Sequence, residues 1–361
     1  MKIPKISITL AFLAVLGFAG CESATSPGVP PVGEAKFFIR GADLSLLPLI
    51  EREGTVFFNA DSVAEPMLVT LRKAGVNTVR LRLWKDPDEF DQGFAGVKWF
   101  CSRLRSEGFR VMLTVHYSDT WADPGHQVMP RAWQGITPAA LHDSVYAYTK
   151  MIATEIKPDF IQLGNEINSG FLFDAGRIAT SPSGFRSLLD TATRAVRKFS
   201  PGTKIVLHYA GLTWADGFFR SITGADYDII GLSYYPLWHG KNVDTLSEVL
   251  SSLNREFGKE VAVVETSYPF TLGWNDWTNN IVGLEDQLHP GYPATPDGQY
   301  NFVKKVFDEV RASEGGAGVC YWGGEWVAFR GTTSTDGSPY ENQAFYNFNF
   351  RALPVLKAFG E

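Results

Sequence analysis

Two glutamates follow apolar runs that are typical of buried strands, and their positions suggest a carboxylate pair. The run at Phe160–Leu163 ends in Gly-Asn-Glu, which places Glu166 just beyond the predicted strand. A second run at residues 260–264 is followed directly by Glu265. A carboxylate at the end of a buried strand is costly unless it is solvated, paired or functional. Two such carboxylates at the same end of the strands are the pair that most enzymes use to cleave a glycosidic bond.

The stretches around these glutamates alternate between strand and helix patterns. Strands are predicted at residues 37–44, 77–84, 110–117, 160–163, 204–209, 227–235, 260–264 and 318–322. Helices are predicted at residues 61–74, 97–107, 138–155, 183–199, 214–222, 243–257, 295–313 and 342–359. This alternation predicts an α/β fold with a parallel sheet, and eight such units predict a single (β/α)8 TIM barrel. A doubly wound sheet is the alternative, but no glycine-rich phosphate loop follows the first strand.

The composition indicates a globular chain with a large core. The 361 residues are 45% hydrophobic and 20% charged, which fits one large domain and argues against disorder. The formal net charge of −6 argues against nucleic acid as a partner, because its binding needs a basic surface. The 10 Trp, 13 Tyr and 26 Phe residues also suit a sugar site, because flat rings stack on the apolar faces of pyranoses.

The N-terminal segment has the pattern of a bacterial targeting signal. Lys2 and Lys5 precede an apolar run at residues 6–18 that is too short to span a bilayer. Phe-Ala-Gly-Cys at residues 18–21 resembles a lipobox with Cys21 as the lipidated residue, and an ordinary secretory signal is the alternative. We expect a signal peptide at 1–20, a flexible Pro-rich tether at 21–35 and a catalytic domain at 36–361. This predicts a lipoprotein of the bacterial cell envelope, held at the membrane through its lipid anchor only.

Polar residues at the C-terminal ends of the strands are the informative ones, because that face of a barrel carries the site. The predicted set is Asp43, Arg80, Arg82, His116, Asp119, Asn165, Glu166, His208, Tyr234, Tyr235, Glu265 and Trp322. We expect strand alternation to let only one of Arg80 and Arg82 face the interior, and we favour Arg80 as the cation beside the glutamates. A structural hydrogen bond is the alternative role for Asp43, Arg80, His116 and His208.

Six stretches of the chain resemble glycoside hydrolase family 53, the endo-β-1,4-galactanases of the clan A retaining glycosidases. They are GADLSLLPLIEREG (41–54), LRKAGVNTVRLRLW (71–84), VHYSDTWADPGHQ (115–127), PDFIQLGNEINSG (158–170), DYDIIGLSYYPLWHG (226–240) and VVETSYP (263–269). They occur in the family's order and span nearly the whole predicted domain. The resemblance implies endo-acting hydrolysis of β-1,4-galactosidic bonds in the (arabino)galactan side chains of pectin.

The resemblance also implies roles for individual residues. Glu166 would be the general acid/base, Glu265 the nucleophile, and Asn165 a partner of the sugar 2-hydroxyl. His116 and Asp119 would bind galactosyl hydroxyls, and a tyrosine of the pair Tyr234 and Tyr235 would hydrogen-bond Glu265. Candidate sugar platforms are Trp84, Trp121, Trp133, Trp238, Trp322 and Trp326. Trp322 is the favoured floor of the cleavage subsite, and core packing is the alternative for Trp133 and Trp326.

Some members of this family bind calcium in the long loop after the seventh strand. Here that loop holds Asn275, Asp276 and Asn279, whose oxygens suit calcium, although their spacing is not that of an EF-hand. A structural calcium ion is therefore one expectation. The alternative is a wall carrying Trp274 and Trp277 that shapes distal subsites. No cofactor is expected to be required for catalysis.

The expected partner is a polysaccharide, β-1,4-galactan of the arabinogalactan type I, bound by a monomer. Another clan A β-glycanase of the mannanase, cellulase or xylanase type is the nearest alternative, because the two-glutamate chemistry would be the same. A non-catalytic surface glycan-binding lipoprotein is an alternative from a different class. Loss of either glutamate would favour it, and both Glu166 and Glu265 are present.

Overall fold

A closed barrel of parallel strands forms the centre of the protein, as the computed structural model shows for the described residues, 36–88 and 92–361. Its eight strands follow one another around the barrel in chain order, which confirms the predicted TIM barrel. They are β1 (Ile39–Asp43), β2 (Thr78–Leu83), β3 (Arg110–Val115), β4 (Phe160–Leu163), β5 (Lys204–Ala210), β6 (Ile229–Ser233), β7 (Glu260–Thr266) and β8 (Gly316–Tyr321). The predicted signal peptide, the tether and Cys21 lie outside the described residues.

Helices connect the strands and cover the outside of the barrel. They are α1 (Leu47–Arg52), α2 (Met67–Ala74), α3 (Phe94–Ser106), α4 (Pro138–Glu155), α5 (Pro182–Phe199), α6 (Ala215–Ser221), α7 (Pro236–His239), α8 (Leu246–Phe257) and α9 (Pro296–Ala312). Local signals fix several ends: the Thr137 side chain accepts the Ala140 N–H at the start of α4, and Gly75 ends α2 with a φ of 100°. None of the helices in the described ranges is long and apolar enough to cross a membrane.

Strand alternation separates the core into two parts. Successive side chains along each strand point alternately into the barrel and out towards the helices. Inward-facing residues form an apolar cluster of Ile39, Met112, Phe160, Val206, Ile229, Ala262, Val264, Ala317 and Cys320. Two positions after Phe160 and Val206, the same faces carry the buried polar residues Gln162 and His208. A polar layer therefore lies on an apolar floor, towards the C-terminal ends of the strands.

A bulge in β7 changes the direction of its last residues. Ala262 and Val264 point into the barrel, so regular alternation would turn Glu265 outwards. The pairing register with β6 shifts between Leu232 and Ser233, so that Leu232 pairs with Val263 and Ser233 with Glu265. A bulge of this kind re-aims a side chain, and here it lets Glu265 face the barrel interior directly after Val264.

Two predicted helices differ from the structure. The helix expected at 61–74 begins only at Met67, because Asn59 Oδ1 accepts the N–H groups of Asp61 and Val63 in a turn and Pro66 precedes the helix. The helix expected at 342–359 is absent as an α-helix. The short 3-10 turns Glu341–Gln343 and Pro354–Phe359 take its place. The backbone between these turns forms hydrogen bonds with other segments instead, as where the Phe345 N–H donates to the Gly324 carbonyl.

Candidate active site

A cavity of about 510 Å³ opens at the C-terminal ends of the strands. Eleven of the residues predicted from the sequence line it: Asp43, Arg80, Arg82, His116, Trp121, Asn165, Glu166, Tyr235, Trp238, Glu265 and Trp322. Asp123, His239 and Tyr340 also face this space. Each of the eight strands, or the loop that follows it, therefore contributes to one cavity, as the barrel architecture predicts.

Glu166 and Glu265 approach each other closely across the cavity. One carboxylate oxygen of each residue and one ring nitrogen of His208 all lie within 4.8 Å of one another. Glu265 emerges from the β7 bulge, whereas Glu166 follows β4 with a left-handed backbone at φ 48°. A left-handed glutamate is strained, and such strain persists only where the surroundings hold it.

Gln127 is one of the groups that hold this strained segment. Its side-chain amide donates to the carbonyls of Asn165 at 2.7 Å and Asp123 at 2.9 Å. The Gln127 side chain is buried, so the loop after β3 is clamped to the end of β4. This contact fixes the backbone from which Glu166 projects.

The guanidinium of Arg80 connects most of the polar layer. Its Nη1 donates to Asp43 Oδ2 at 2.7 Å, and its Nη2 donates to Glu265 Oε1 at 2.7 Å. The same Nη2 lies 3.0 Å from Asn165 Oδ1 and 3.3 Å from Gln162 Oε1. The Arg80 side chain is only 2% exposed, so these charge-assisted hydrogen bonds form away from water. Glu265 thus has a fixed counter-cation, as predicted for Arg80.

The expectation that only one of Arg80 and Arg82 faces the interior is wrong. Residues two apart on a strand share a face, so both side chains point into the barrel. Arg82 has a different environment, because its Nε donates to Gln92 Oε1 at 2.8 Å. Its guanidinium also lies over the rings of Trp121 and Trp84, 3.9 and 4.6 Å from the centroids. Arg82 therefore supports the aromatic wall, and Arg80 serves the carboxylates.

Burial and charge set the protonation of the two glutamates. Burial, followed by the charge of Glu265, raises the pKa of Glu166 to about 8, against the opposing effects of Ser233 and Arg80. Burial also raises the pKa of Glu265, but Arg80 and the Tyr235 hydroxyl, 3.1 Å from Oε2, oppose this rise. Two close carboxyls cannot both ionise easily, and the cation lies at Glu265. Glu265 is therefore the anion of the pair and Glu166 the acid.

Aromatic rings form the walls of the cavity. Trp322 is buried and packs against Tyr340 with 4.5 Å between ring centroids. Trp121 and Trp238 lie further out and are 41% and 55% exposed. Flat, exposed rings of this kind can stack on sugars, as predicted for these positions. Trp84 and Trp133 are buried in the core, so these two are not open platforms.

Three predicted substrate ligands are not among the residues that line the cavity. Asp119 accepts the backbone N–H groups of Asp86 and Arg131, so its carboxylate orders loops. The Tyr234 hydroxyl donates to the Gly240 carbonyl, and of the two tyrosine hydroxyls it is that of Tyr235 that donates to the Glu265 carboxylate. His208 is fully buried beneath the glutamates, where it has protein partners. The structure gives these three side chains positioning contacts.

The sequence interpretation missed four buried polar residues that support the site: Gln127, Gln162, Ser233 and Glu325. Gln162 and Ser233 lie inside runs that read as apolar strands. A polar residue in such a run is itself a signal, because its burial is costly without a partner. Gln127 and Glu325 are in loops, where no comparable signal exists.

The grouping of Glu166, His208 and Glu265 could in principle hold a metal ion, but its atoms are already engaged. His208 Nδ1 lies 3.0 Å from Gln162 Nε2, and His208 Nε2 lies 2.8 Å from Ser233 Oγ. Glu265 is paired with Arg80. The arrangement is that of a carboxyl pair rather than of a set of free metal ligands.

The predicted calcium loop is joined to the segment after β8 by hydrogen bonds. Asp276 Oδ1 and Oδ2 accept the N–H groups of Thr278 and Ser338, at 2.7 and 2.9 Å. Glu341 accepts the N–H groups of Asn275 and Asp276. Both oxygens of Asp276 thus have partners within the protein. Calcium binding by Asn275, Asp276 and Asn279 stays a prediction.

Comparison with known proteins gives consistent matches over nearly the whole described domain. The sequence profile described as Glycosyl hydrolase family 53 matches residues 39–359. An arabinogalactan endo-beta-1,4-galactanase of Cellvibrio japonicus is 32% identical over 370 residues, covering 97% of this chain and 96% of that protein. An endo-beta-1,4-galactanase of Bacillus subtilis is 31% identical and covers 91% of this chain and 86% of its own. The Ignisphaera aggregans GH53 catalytic domain superposes with a TM-score of 0.84 at 34% identity, covering 92% of this chain and 98% of that one.

Replacement of Arg80 tests the electrostatics of this layer. In Arg80→Met the Glu265 carboxylate loses its cation, which should cost about 3–5 kcal/mol of unfolding free energy near pH 7. The pKa of folded Glu265 should then lie further above its unfolded value. Stability from such a group is present below the unfolded pKa and is lost as the pH rises, so the deficit should shrink towards pH 4. Chemical denaturation of the wild type and of Arg80→Met near pH 7 and near pH 4 measures this difference in unfolding free energy.

Arg255→Met is the matched control, because Arg255 pairs with Glu314 on the exposed surface. It should change the unfolding free energy by less than about 1 kcal/mol at either pH. A deficit for Arg80→Met that equals the control, or that does not depend on pH, would contradict the assignment of Arg80 as the buried counter-cation.

Proposed function

Because the chain belongs to glycosyl hydrolase family 53, we propose that it is an endo-β-1,4-galactanase that acts by a retaining double displacement. The observation that carries this proposal is the close pair of Glu166 and Glu265, of which Glu265 is the one that forms an ion pair with Arg80. Retaining glycosidases keep their two carboxyl groups about 5–5.5 Å apart, whereas inverting enzymes need about 6.5–9.5 Å to admit a water molecule. An approach within 4.8 Å between carboxylate oxygens supports retention.

In the first step, Glu265 attacks the anomeric carbon of the galactosyl unit. Its position at the β7 bulge points its carboxylate into the cavity, and Arg80 and Tyr235 keep it ionised and oriented. The bond from the anomeric carbon to the leaving oxygen breaks, and Glu166 gives its proton to that oxygen. The raised pKa of Glu166, about 8, keeps this proton available at neutral pH.

In the second step, Glu166 is the base. It takes a proton from a water molecule, whose oxygen attacks the anomeric carbon and releases Glu265. Asn165 lines the same cavity directly before Glu166, and it is oriented by Arg80 at Oδ1 and by the Ala122 carbonyl at Nδ2. We assign it to the 2-hydroxyl of the sugar, a contact that strengthens towards the transition state.

The proposed substrate is the β-1,4-galactan of pectin side chains. The support is the galactanase activity for which the relatives are named, together with a cavity whose walls carry Trp121, Trp238 and Trp322. Polar groups of His116 and Asp43 lie in the same cavity and could bind hydroxyls. We propose that the enzyme works as a monomer, because one chain supplies every residue named in this site.

A panel of polysaccharides tests substrate and catalytic pair together. The purified protein should release oligosaccharides from potato galactan and little from mannan, xylan or β-glucan. Glu166→Ala and Glu265→Ala should each lower kcat on galactan by at least about 100-fold, because each removes a group that acts in the transition state. Glu285→Ala, at an exposed glutamate, is the control and should keep full activity.

The outcomes of the panel separate the alternatives. Preferential hydrolysis of mannan, xylan or glucan would assign another clan A activity to the same glutamates. Binding to galactan without hydrolysis by any variant would favour a glycan-binding protein. Normal hydrolysis by Glu265→Ala would contradict the proposed mechanism.

We propose in addition that the mature protein is a cell-envelope lipoprotein anchored through Cys21, because residues 18–21 resemble a lipobox. In a bacterial host grown with labelled palmitate, the full chain should carry the label and sediment with membranes. Cys21→Ser should lose both properties and keep its activity on galactan. A wild-type chain without label would instead indicate an ordinary secretory signal.

A further inference from the structure

We propose that His208 and Ser233 are positioning residues that fix the catalytic proton of Glu166 on its Oε2 atom. The inference rests on the proposed function, because it concerns the acid in that reaction. His208 and Ser233 lie on β5 and β6, are fully buried and have no role in the chemistry described above. They form a hydrogen-bonded chain that ends on Glu166, and the direction of this chain follows from its partners.

The tautomer of His208 sets that direction. The backbone N–H of Glu166 points at His208 Nδ1 over 3.3 Å, and Gln162 Nε2 lies 3.0 Å from the same atom. The amide of Gln162 cannot be reversed without loss, because its Nε2 donates to the Gly164 carbonyl and its Oε1 accepts from Arg80. Nδ1 therefore receives two donors and carries no proton.

A contact with Asn165 could support the other tautomer, but it is outweighed. Asn165 Oδ1 lies 3.1 Å from His208 Nδ1 and would accept a proton there. That oxygen already accepts from Arg80 Nη2 and Gln162 Nε2. A proton on Nδ1 would face the Glu166 N–H and the Gln162 amide, both of which are donors. The proton of neutral His208 is therefore on Nε2.

The second half of this hydrogen-bonded chain passes through the Ser233 hydroxyl. His208 Nε2 lies 2.8 Å from Ser233 Oγ, and Ser233 Oγ lies 2.6 Å from Glu166 Oε1. Since the hydroxyl oxygen accepts from Nε2–H, its one proton is donated to Oε1. A neutral carboxyl whose Oε1 accepts a hydrogen bond has its own proton on Oε2. The hydrogen-bonded chain thus keeps the acid proton of Glu166 on Oε2, the oxygen that remains for the substrate, and off Oε1.

Other charged and titratable groups also face the two ends of this hydrogen-bonded chain, Glu166 and His208. Those facing Glu166 are Glu265, Arg80, Asp123, Tyr235 and Tyr340. Those facing His208 are Arg80, His116 and His239. Burial first, and then Arg80, hold the pKa of His208 well below its usual range, so the ring stays neutral and Nε2–H stays a donor. None of these groups is removed by a change at Ser233, which makes that position the place to test the chain.

Ser233→Thr and Ser233→Val are a matched pair, since they have the same shape and differ in the hydroxyl. We expect kcat/KM on galactan to be about tenfold lower for Ser233→Val than for Ser233→Thr. Glu166 becomes charged as it gives up its proton, and this is the usual scale for a hydrogen bond to a charged group. On 2,4-dinitrophenyl β-galactoside the two should agree within about twofold, because that leaving group needs little acid assistance. The alkaline limb of the galactan pH profile should lie higher in Ser233→Val, because a lost donor raises the pKa of Glu166.

A titration that needs no substrate completes the test. Carbon-13 NMR of carboxyl-labelled glutamate, with the Glu166 signal identified from Glu166→Gln, should show a higher pKa in Ser233→Val than in Ser233→Thr. If the variants with larger side chains do not fold, Ser233→Ala is compared with the wild type instead. Equal losses on both substrates with an unmoved alkaline limb and an unmoved titration would overturn the proposal. A wild type inactive on galactan would overturn the proposed function, and the titration would still decide the direction of the hydrogen bond.

Discussion

The buried ion pairs of Arg80 are the interactions on which the rest of the site depends. Asp43 and Glu265 occupy the two ends of its guanidinium, and Asn165 and Gln162 share Nη2. A buried carboxylate without such a partner is strongly disfavoured, so the position of the cation determines which acids ionise. Glu265 has the cation and Glu166 has a serine hydroxyl. The difference in role between two chemically identical side chains follows from that asymmetry.

The same reasoning applies to a further carboxyl behind the cavity. Glu325 is fully buried, and its Oε1 accepts the Leu46 N–H. Burial, followed by the nearby charge of Asp43, raises the pKa of Glu325 to about 8. It therefore adds no second anion beside Asp43 at neutral pH. The layer around Arg80 keeps its charge low by leaving Glu166 and Glu325 protonated.

Much of this fold could be predicted from the sequence, because its signals are local. Glycines such as Gly75 and Gly258 end helices with positive φ, and apolar runs mark strands that are covered on both faces. The prediction of a helix at 342–359 is wrong, because the apolar pattern there reflects burial against other segments rather than a helical period. Glu166 and Glu265 were found because a carboxylate after a buried strand is conspicuous.

The support of the site was harder to predict, because it depends on contacts between distant strands. Ser233 reads as one small residue in an apolar strand, and only the closed barrel brings its hydroxyl to Glu166 at the end of β4. Asp119 shows the converse, since a polar residue after a strand turned out to bind loop backbone. Arg80 and Arg82 both face the interior, against the expectation of one, because residues two apart on a strand share a face.

The stereochemistry of the released product tests the central claim most directly. Proton NMR of galactan digestion, recorded before the new reducing ends mutarotate, distinguishes the two anomers. The close glutamate pair predicts that the first product appears as the β-anomer, because two displacements restore the original configuration. Initial release of the α-anomer would show a single displacement by water, and it would contradict the assignment of Glu265 as the nucleophile.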